Sequence, residues 1–146
     1  MEFALVLPLL AILVFGTIDL GRVFRLNTRL ENAAREGAAG IASFSPFRVD
    51  SGCRGRANGV DRVKDEDTLL AAEPGFAVKV YKRDSGTGTL VPPGGITGCD
   101  AGAPGVTVAP GDRIVVEVEA FFDALTPVTG RARITVRGSH EVILQG

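Results

Sequence analysis

The residues between Glu2 and Asp19 form an uncharged, mostly apolar run, and the sequence after them is far more polar. As a helix, the sixteen residues of this apolar segment (residues 3–18) span about 24 Å, slightly less than the ~30 Å hydrocarbon core of a bilayer. The segment can therefore cross a membrane only if its charged ends lie at the two surfaces. A carboxylate at residue 2 with no basic residue before it is unlike a secretory signal peptide. The sequence predicts a marginal membrane helix, without a cleavage site behind it.

The helical pattern continues beyond Asp19, because apolar residues recur on one side as far as Ile41. Pro46 cannot continue a helix and disfavours helix at the residue before it. We therefore expect one helix from about Glu2 to Phe44, about 65 Å long. A helix of that length cannot be buried against a domain of about a hundred residues, so its exposed half must contact lipid or other copies of the chain.

Two features of this helix concern its packing. Pro8 removes a backbone hydrogen bond and should kink or loosen the apolar segment, which a membrane or filament core tolerates. Further along, small residues form a seam that allows another element to approach the backbone closely. Two interpretations stay open for this seam, namely packing against the chain's own sheet and contact between helices of different subunits. Its members are Ala33, Ala34, Gly37, Ala38 and Ala42.

The rest of the chain predicts a small β domain. Residues 46–63 lack periodicity and are expected to form a loop, and the acidic residues 65–67 are expected to begin a short helix that ends before Pro74. Apolar and polar residues then alternate in three stretches, around residues 76–81, 114–120 and 134–142, which predicts three strands. Opposite charges, at Glu117 and Glu119 and at Arg131 and Arg133, suggest that the second and third strands pair antiparallel. The predicted fold class is α+β, a long N-terminal helix packed on a small antiparallel sheet.

The two cysteines, Cys53 and Cys99, lie in glycine-containing stretches that we expect to be exposed loops. They have no CxxC spacing and no neighbouring histidine, so a single disulfide is favoured over a metal site, with free thiols as the alternative. Closing a loop of roughly 47 residues would stabilise the fold by roughly 4 kcal/mol on the chain-entropy model.

Composition and motifs disfavour nucleic-acid binding and catalysis. Sixteen basic and seventeen acidic residues leave a net charge of -1, which provides no general attraction for nucleic acid. The single histidine, His140, is in no pattern with a nucleophile, and the glycine runs lack phosphate-binding spacing. Asp61, Asp65 and Asp67 lack the glycine and the downstream glutamate of a calcium loop. We expect no enzyme activity, no cofactor and no metal.

The N-terminal sequence resembles that of a known family. Glu2-Phe3-Ala4-Leu5-Val6-Leu7-Pro8-Leu9-Leu10, then Phe15-Gly16 and Asp19-Leu20-Gly21-Arg22, are similar to the TadE-like pilins and pseudopilins of tight-adherence (Tad) systems. These belong to the type IV pilin superfamily. The specific part of the resemblance covers about the first 25 residues, and beyond it only the order of the strands is similar.

The resemblance implies a pilin subunit that polymerises into a helical filament for adhesion and surface colonisation. Residues 1–45 would be the pilin helix and residues 46–146 an extracytoplasmic domain. The subunit would be anchored in the inner membrane before assembly and extracellular afterwards, and its partners would be other copies, the prepilin peptidase and the pilus assembly machinery. The expected assembly residues are Glu2, Phe3, Pro8, Phe15, Gly16, Asp19 and Arg22.

One departure from the family concerns the N-terminus. The family's glutamate is normally the fifth residue after the peptidase cut and is preceded by a basic leader, whereas Glu2 is the second residue here. The chain therefore either begins inside the mature protein or was cut or initiated unusually. Arg22, Arg25 and Arg29 would by the positive-inside rule place the domain in the cytoplasm. We expect the opposite orientation, because a removed basic leader rebalances the charges and the cysteine pair favours an oxidising compartment.

Alternatives remain for individual residues and for the whole chain. Glu2 is expected to neutralise the N-terminal amine of a neighbouring subunit, or else to cap its own helix. Asp19 and Arg22 form either a surface ion pair or, if buried between subunits, a contact that sets their register. The chain could also be a minor pseudopilin that primes or tips a filament, or a monomeric membrane-anchored binding module.

Overall fold

The computed structural model describes residues 3–43, 51–91, 111–124 and 133–144, with side chains described from residue 6 in the first range and from residue 59 in the second. Its first element is a helix of 40 residues, α1 (Phe3–Ala42), which contains Pro8 and is about 60 Å long. The predicted long helix is confirmed, and it ends within two residues of the predicted position.

Four antiparallel strands form one sheet in the order β2-β1-β3-β4. They are β1 (Ala77–Arg83), β2 (Leu90–Val91), β3 (Arg113–Asp123) and β4 (Arg133–Ile143). The three alternating stretches of the sequence are β1, β3 and β4, whereas β2, with two residues, is too short to produce a periodic signal. The structure thus confirms the α+β class, a long N-terminal helix with a small antiparallel sheet.

The second half of α1 packs on one face of this sheet. Leu30 and Ile41 of the helix are fully buried together with Val116 and Val118 of β3. Closest approach occurs at Gly138 of β4, where a Cβ atom would collide with the backbone of Leu30 and Glu31. The missing side chain therefore lets the helix lie directly on the sheet, and the core forms between them.

The structure corrects the prediction of a loop over residues 46–63, because a helix, α2, runs from Ser51 to Glu66. It packs against α1 through glycines: a Cβ on Gly59 would come within 2.9 Å of the Gly37 carbonyl oxygen and 2.6 Å of Ile41 Cγ1. Gly59 and Val63, one turn apart, are buried on this side. Three glycines lower the helix propensity of α2, and tertiary contact with α1 outweighs this cost. Cys53 therefore lies in a helix and not in the expected loop.

The acidic residues before the short helix have different positions from those expected. Asp65 and Glu66 end α2, and Asp67 is the N-cap of α3 (Thr68–Ala71), accepting a hydrogen bond from the Leu70 backbone nitrogen. A capping carboxylate satisfies one of the free N–H groups at a helix start. The short helix ends before Pro74, as predicted.

The antiparallel pairing of the second and third predicted strands is confirmed, but the charged partners differ from those expected. Arg137 lies opposite Glu119 and binds both Glu119 and Glu117, at 3.3 and 3.5 Å. Arg133 lies opposite Asp123 instead, and Arg131 is outside the described residues. The register is determined by the apolar face, on which Ala120 lies opposite Val136 and Val118 opposite Gly138, because a shift of one residue would expose that face.

Candidate functional site

The apolar segment is exposed along its described length. The large side chains from Val6 to Ile18 are about half exposed or more, for example Leu13 at 62%. In the most apolar 18-residue window of α1 only 6% of the residues are buried, so this is not the core helix of a folded domain. Among the described residues, α1 is the one helix long and apolar enough to cross a membrane. Because each such side chain left in water costs about 1.5–3 kcal/mol, the segment requires lipid or a partner surface.

Pro8, Phe15 and Gly16 are on this exposed segment. Nothing lies within 4 Å of a Cβ atom placed on Gly16, so the glycine leaves an open notch in the helix surface. Such a notch permits close approach of another helix. Phe3 is the first helical residue, and Glu2 lies outside the described residues.

Asp19 is at the point where α1 reaches the folded domain, and it is buried, with 7% of its surface exposed. Arg22 donates a hydrogen bond to it over 3.4 Å, and the Arg22 guanidinium lies 5.1 Å from the centre of the Phe122 ring. The pair predicted from i, i+3 spacing is therefore present within one chain and joins α1 to the end of β3.

The small-residue seam packs inside the chain. Ala33, Ala34 and Ala38 are completely buried in the core between α1 and the sheet, and Gly37 is buried against α2. A Cβ on Gly37 would come within 2.5 Å of Val63 and 3.3 Å of Val116. Ala42, at the end of the helix, is half-buried. The seam's first four members thus contact their own domain, which leaves the apolar segment as the free surface of α1.

Arg29 connects the second half of α1 to the start of α3. Its Nε and Nη2 atoms donate to the two carboxylate oxygens of Asp67, at 2.6 and 2.8 Å. Glu73 lies 3.9 Å from the same guanidinium. The hydrogen bonds from Arg29, assisted by the Leu70 backbone N–H, lower the pKa of Asp67 below its ordinary value of 3.8.

A pH experiment tests this contact. A carboxyl with a lowered pKa in the folded state stabilises the fold above its unfolded pKa, and this stabilisation is lost as pH falls through the folded value. Asn still caps helices, so Asp67→Asn removes the charged pair and keeps the cap. We expect Asp67→Asn to lower the free energy of unfolding by about 1.5–3 kcal/mol at pH 7. As the pH falls below 3.8, the free energies of unfolding of the variant and of wild type should approach each other.

The single tyrosine, Tyr81, is buried and the chain has no Trp, so tyrosine fluorescence in a denaturant titration of the micelle-bound chain reports this unfolding. Glu31→Gln, a neutralised exposed carboxylate on α1, is the matched control. A difference in the free energy of unfolding between Asp67→Asn and wild type that does not begin to shrink as the pH falls below 3.8 would contradict the assignment.

The described residues contain no group of three or more histidine, cysteine or acidic side chains that could hold a metal ion. Asp67 is bound to Arg29, and His140 lies in β4 opposite Val116.

The pairing of Cys53 with Cys99 stays a prediction, because Cys99 is outside the described residues and only the backbone is described at Cys53. Mass spectrometry of the alkylated chain with and without reductant checks it: a disulfide leaves the unreduced chain unmodified.

Comparison with known proteins agrees with this geometry. Among curated proteins and among solved structures no significant match was found. The model of the family described as TadE-like protein matches residues 1–39, which cover the apolar segment, the Asp19–Arg22 pair and most of the seam. The family suggests a pilin-like component associated with the Tad pilus, and the apolar helix suggests membrane anchoring. The resemblance found in the sequence is thus confirmed over residues 1–39, where this chain matches the model of TadE-like proteins.

Proposed function

We propose that this protein is a structural pilin, which is held in the inner membrane by the apolar segment and then polymerises through α1 into an extracellular filament for adhesion. Residues 1–45 would form the assembly helix, and residues 46–146 would form the extracytoplasmic domain on the filament surface. The proposal extends the family match, which covers the N-terminal 39 residues.

The observation that carries this proposal is the division of α1 into two halves. From Leu26 to Ile41 its apolar side chains are buried in the domain, whereas from Val6 to Ile18 they are exposed. One continuous helix therefore holds a folded domain at one end and presents an apolar surface at the other. A subunit of this shape can exchange lipid contact for contact with other helices at little net change in apolar burial, because lipid tails are as apolar as leucine side chains.

Glu2 and the notch at Gly16 give this exchange its specificity in the proposal. A carboxylate within or beside the hydrocarbon core is unfavourable unless it is neutralised. We assign that neutralisation to the N-terminal amine of a neighbouring subunit, and we assign close helix contact to Phe15 and Gly16. Prepilin peptidase and an assembly ATPase system would process the subunit and extract it from the membrane.

Cryo-electron microscopy of filaments sheared from cells tests the proposal. We expect this chain to repeat along a thin filament, with apolar segments at the centre and sheets outside. If the chain appears only at sparse filament tips, it is a minor pseudopilin. If it occurs only in membranes, as a monomer, it is an anchored binding module, and polymerisation is wrong.

A further inference from the structure

A cleft opens between α1 and the near end of the domain. Its volume is about 380 Å³, within the range of small-molecule sites. Arg22, Arg25 and Arg29 of α1 line one wall, and the opposite wall consists of residues 73–74 and the end of β3, residues 121–123.

The position of the cleft along α1 places it at the membrane surface. Arg22 and Arg25 are four and seven residues beyond Ile18, which corresponds to about 6 and 10 Å along the helix axis. The headgroup layer on each side of a bilayer is about 5–8 Å thick. The exposed apolar surface also continues past Ile18, since Leu20 and Phe24 are 70% and 73% exposed on the other side of the helix. Arg22 is thus at the depth of the phospholipid headgroups, and Arg25 is just beyond it, where its long side chain can reach back to them.

Among the residues that the structure describes, one cation of the cleft has no ion-pair partner. Arg29 is bound by Asp67, and Arg22 is bound by the buried Asp19. Of the two acidic residues in the lining, Asp123 is bound by Arg133 at 3.2 Å and Glu73 lies 3.9 Å from Arg29. Arg25 is exposed and forms no ion pair with any residue that the structure describes. Counted with the partners Asp19, Asp67 and Arg133, the charges of the lining balance, and Arg25 is the cation among them that no described carboxylate holds.

The guanidinium of Arg25, which no described carboxylate holds, matches a phosphodiester, which carries one negative charge. The guanidinium of Arg25 can donate two parallel hydrogen bonds to phosphate oxygens, and Arg22 is held beside it by the Phe122 ring. A zwitterionic headgroup would bring its ammonium beside the guanidinium groups of Arg22 and Arg25, so an anionic headgroup is favoured.

We propose that this cleft binds the phosphodiester of an anionic phospholipid, such as phosphatidylglycerol, at one lipid per chain. Arg25 is the principal contact and Arg22 the second one. The bound headgroup fixes the depth and rotation of the subunit in the membrane before assembly. This inference rests on the membrane-anchored stage of the proposed function, but it does not require that filaments form.

Lipid retention by the full chain tests the inference. The chain is reconstituted into nanodiscs of equal phosphatidylglycerol and phosphatidylcholine, released into mild detergent and weighed by native mass spectrometry. We expect one phosphatidylglycerol to remain bound to wild type. Arg25→Gln should reduce its retention about fivefold, the factor expected for one basic residue at an anionic surface, and Arg25→Lys should reduce it less. The matched control is Arg35→Gln, because Arg35 is exposed on the same helix outside the cleft.

Four results would overturn the inference, and a fifth would overturn polymerisation alone. Equal retention of the two lipids, or an equal loss in Arg25→Gln and Arg35→Gln, would show that the cleft does not select the headgroup. Displacement of the lipid by millimolar inorganic phosphate would identify the ligand as free phosphate. A chain that fails to insert into nanodiscs would contradict both this inference and membrane anchoring. If filaments are absent but phosphatidylglycerol is retained, polymerisation is wrong and the cleft assignment stands.

Discussion

Replacement of Glu2 by Ala is expected to abolish surface filaments, or nearly so, while the subunit still accumulates in the membrane. The expected cause is the loss of the one carboxylate at the start of the apolar segment, which we propose neutralises a neighbouring subunit's amine. An unneutralised charge at depth in hydrocarbon costs several kcal/mol, so the correct docked position would lose its advantage over others. Filament yield is measured by shearing and immunoblotting, with electron microscopy of the cell surface.

Two further variants separate the explanations for Glu2. Glu2→Gln keeps the size and polarity of the side chain and removes its charge, and it should fail as Glu2→Ala does. If Glu2 only capped its own helix, Glu2→Ala and Glu2→Gln would each lose about 0.3–1 kcal/mol of helix stability, and filaments would persist. Glu31→Ala controls for a general effect of removing an acidic residue from α1, since Glu31 is exposed outside the apolar segment. Normal filaments from Glu2→Gln would contradict the assembly role.

Gly138→Ala is expected to be the most destabilising single-methyl change in the domain. The added Cβ would meet the backbone of Leu30 and Glu31, which cannot rotate away as the end of a side chain can. Helix α1 would have to lift from the sheet, and overpacking of this kind typically costs 1–3 kcal/mol, so we expect about 3 kcal/mol here. Denaturant unfolding of the full chain in detergent, monitored by the fluorescence of buried Tyr81, measures the change.

Gly86→Ala is the matched control for Gly138→Ala. Gly86 lies in the turn after β1, and a Cβ there would meet only Asp84 Oδ1, at 3.4 Å. Neither glycine has a positive φ angle, so the comparison isolates the close approach of α1 from backbone strain. We expect Gly86→Ala to remain near wild type. Equal destabilisation by the two substitutions would mean that the contact between α1 and β4 is looser than the structure shows.

The helix and the principal strands could be predicted from the sequence because they depend on local periodicity. Apolar residues at helical spacing identified α1, and alternating residues identified β1, β3 and β4. The exposed apolar segment could also be predicted, since its length exceeds what a small domain can cover. The family motif and the Asp19–Arg22 pair lie in the same continuous stretch, so the candidate assembly surface was largely readable from residues 3–22.

Tertiary contacts decided the rest. Helix α2 was missed because, within its described side chains, its buried face consists of little more than Gly59 and Val63, and a glycine contributes to packing by the space it leaves. The seam of α1 was compatible with two kinds of neighbour, and only the folded chain showed that Ala33, Ala34 and Ala38 pack on its own sheet.

The arginine cleft shows the same distinction at the candidate lipid site. Arg22, Arg25 and Arg29 are visible in the sequence as one side of a helix, but their partners are distant along the chain: Asp67 binds Arg29, and the Phe122 ring lies under Arg22. The sequence by itself determined a rod with an apolar half and an amphipathic half, because helical spacing is a local property. The fold alone decided which charges are neutralised and which one, at Arg25, has no ion-pair partner among the described residues, because that depends on which distant residues the sheet and the helix bring together.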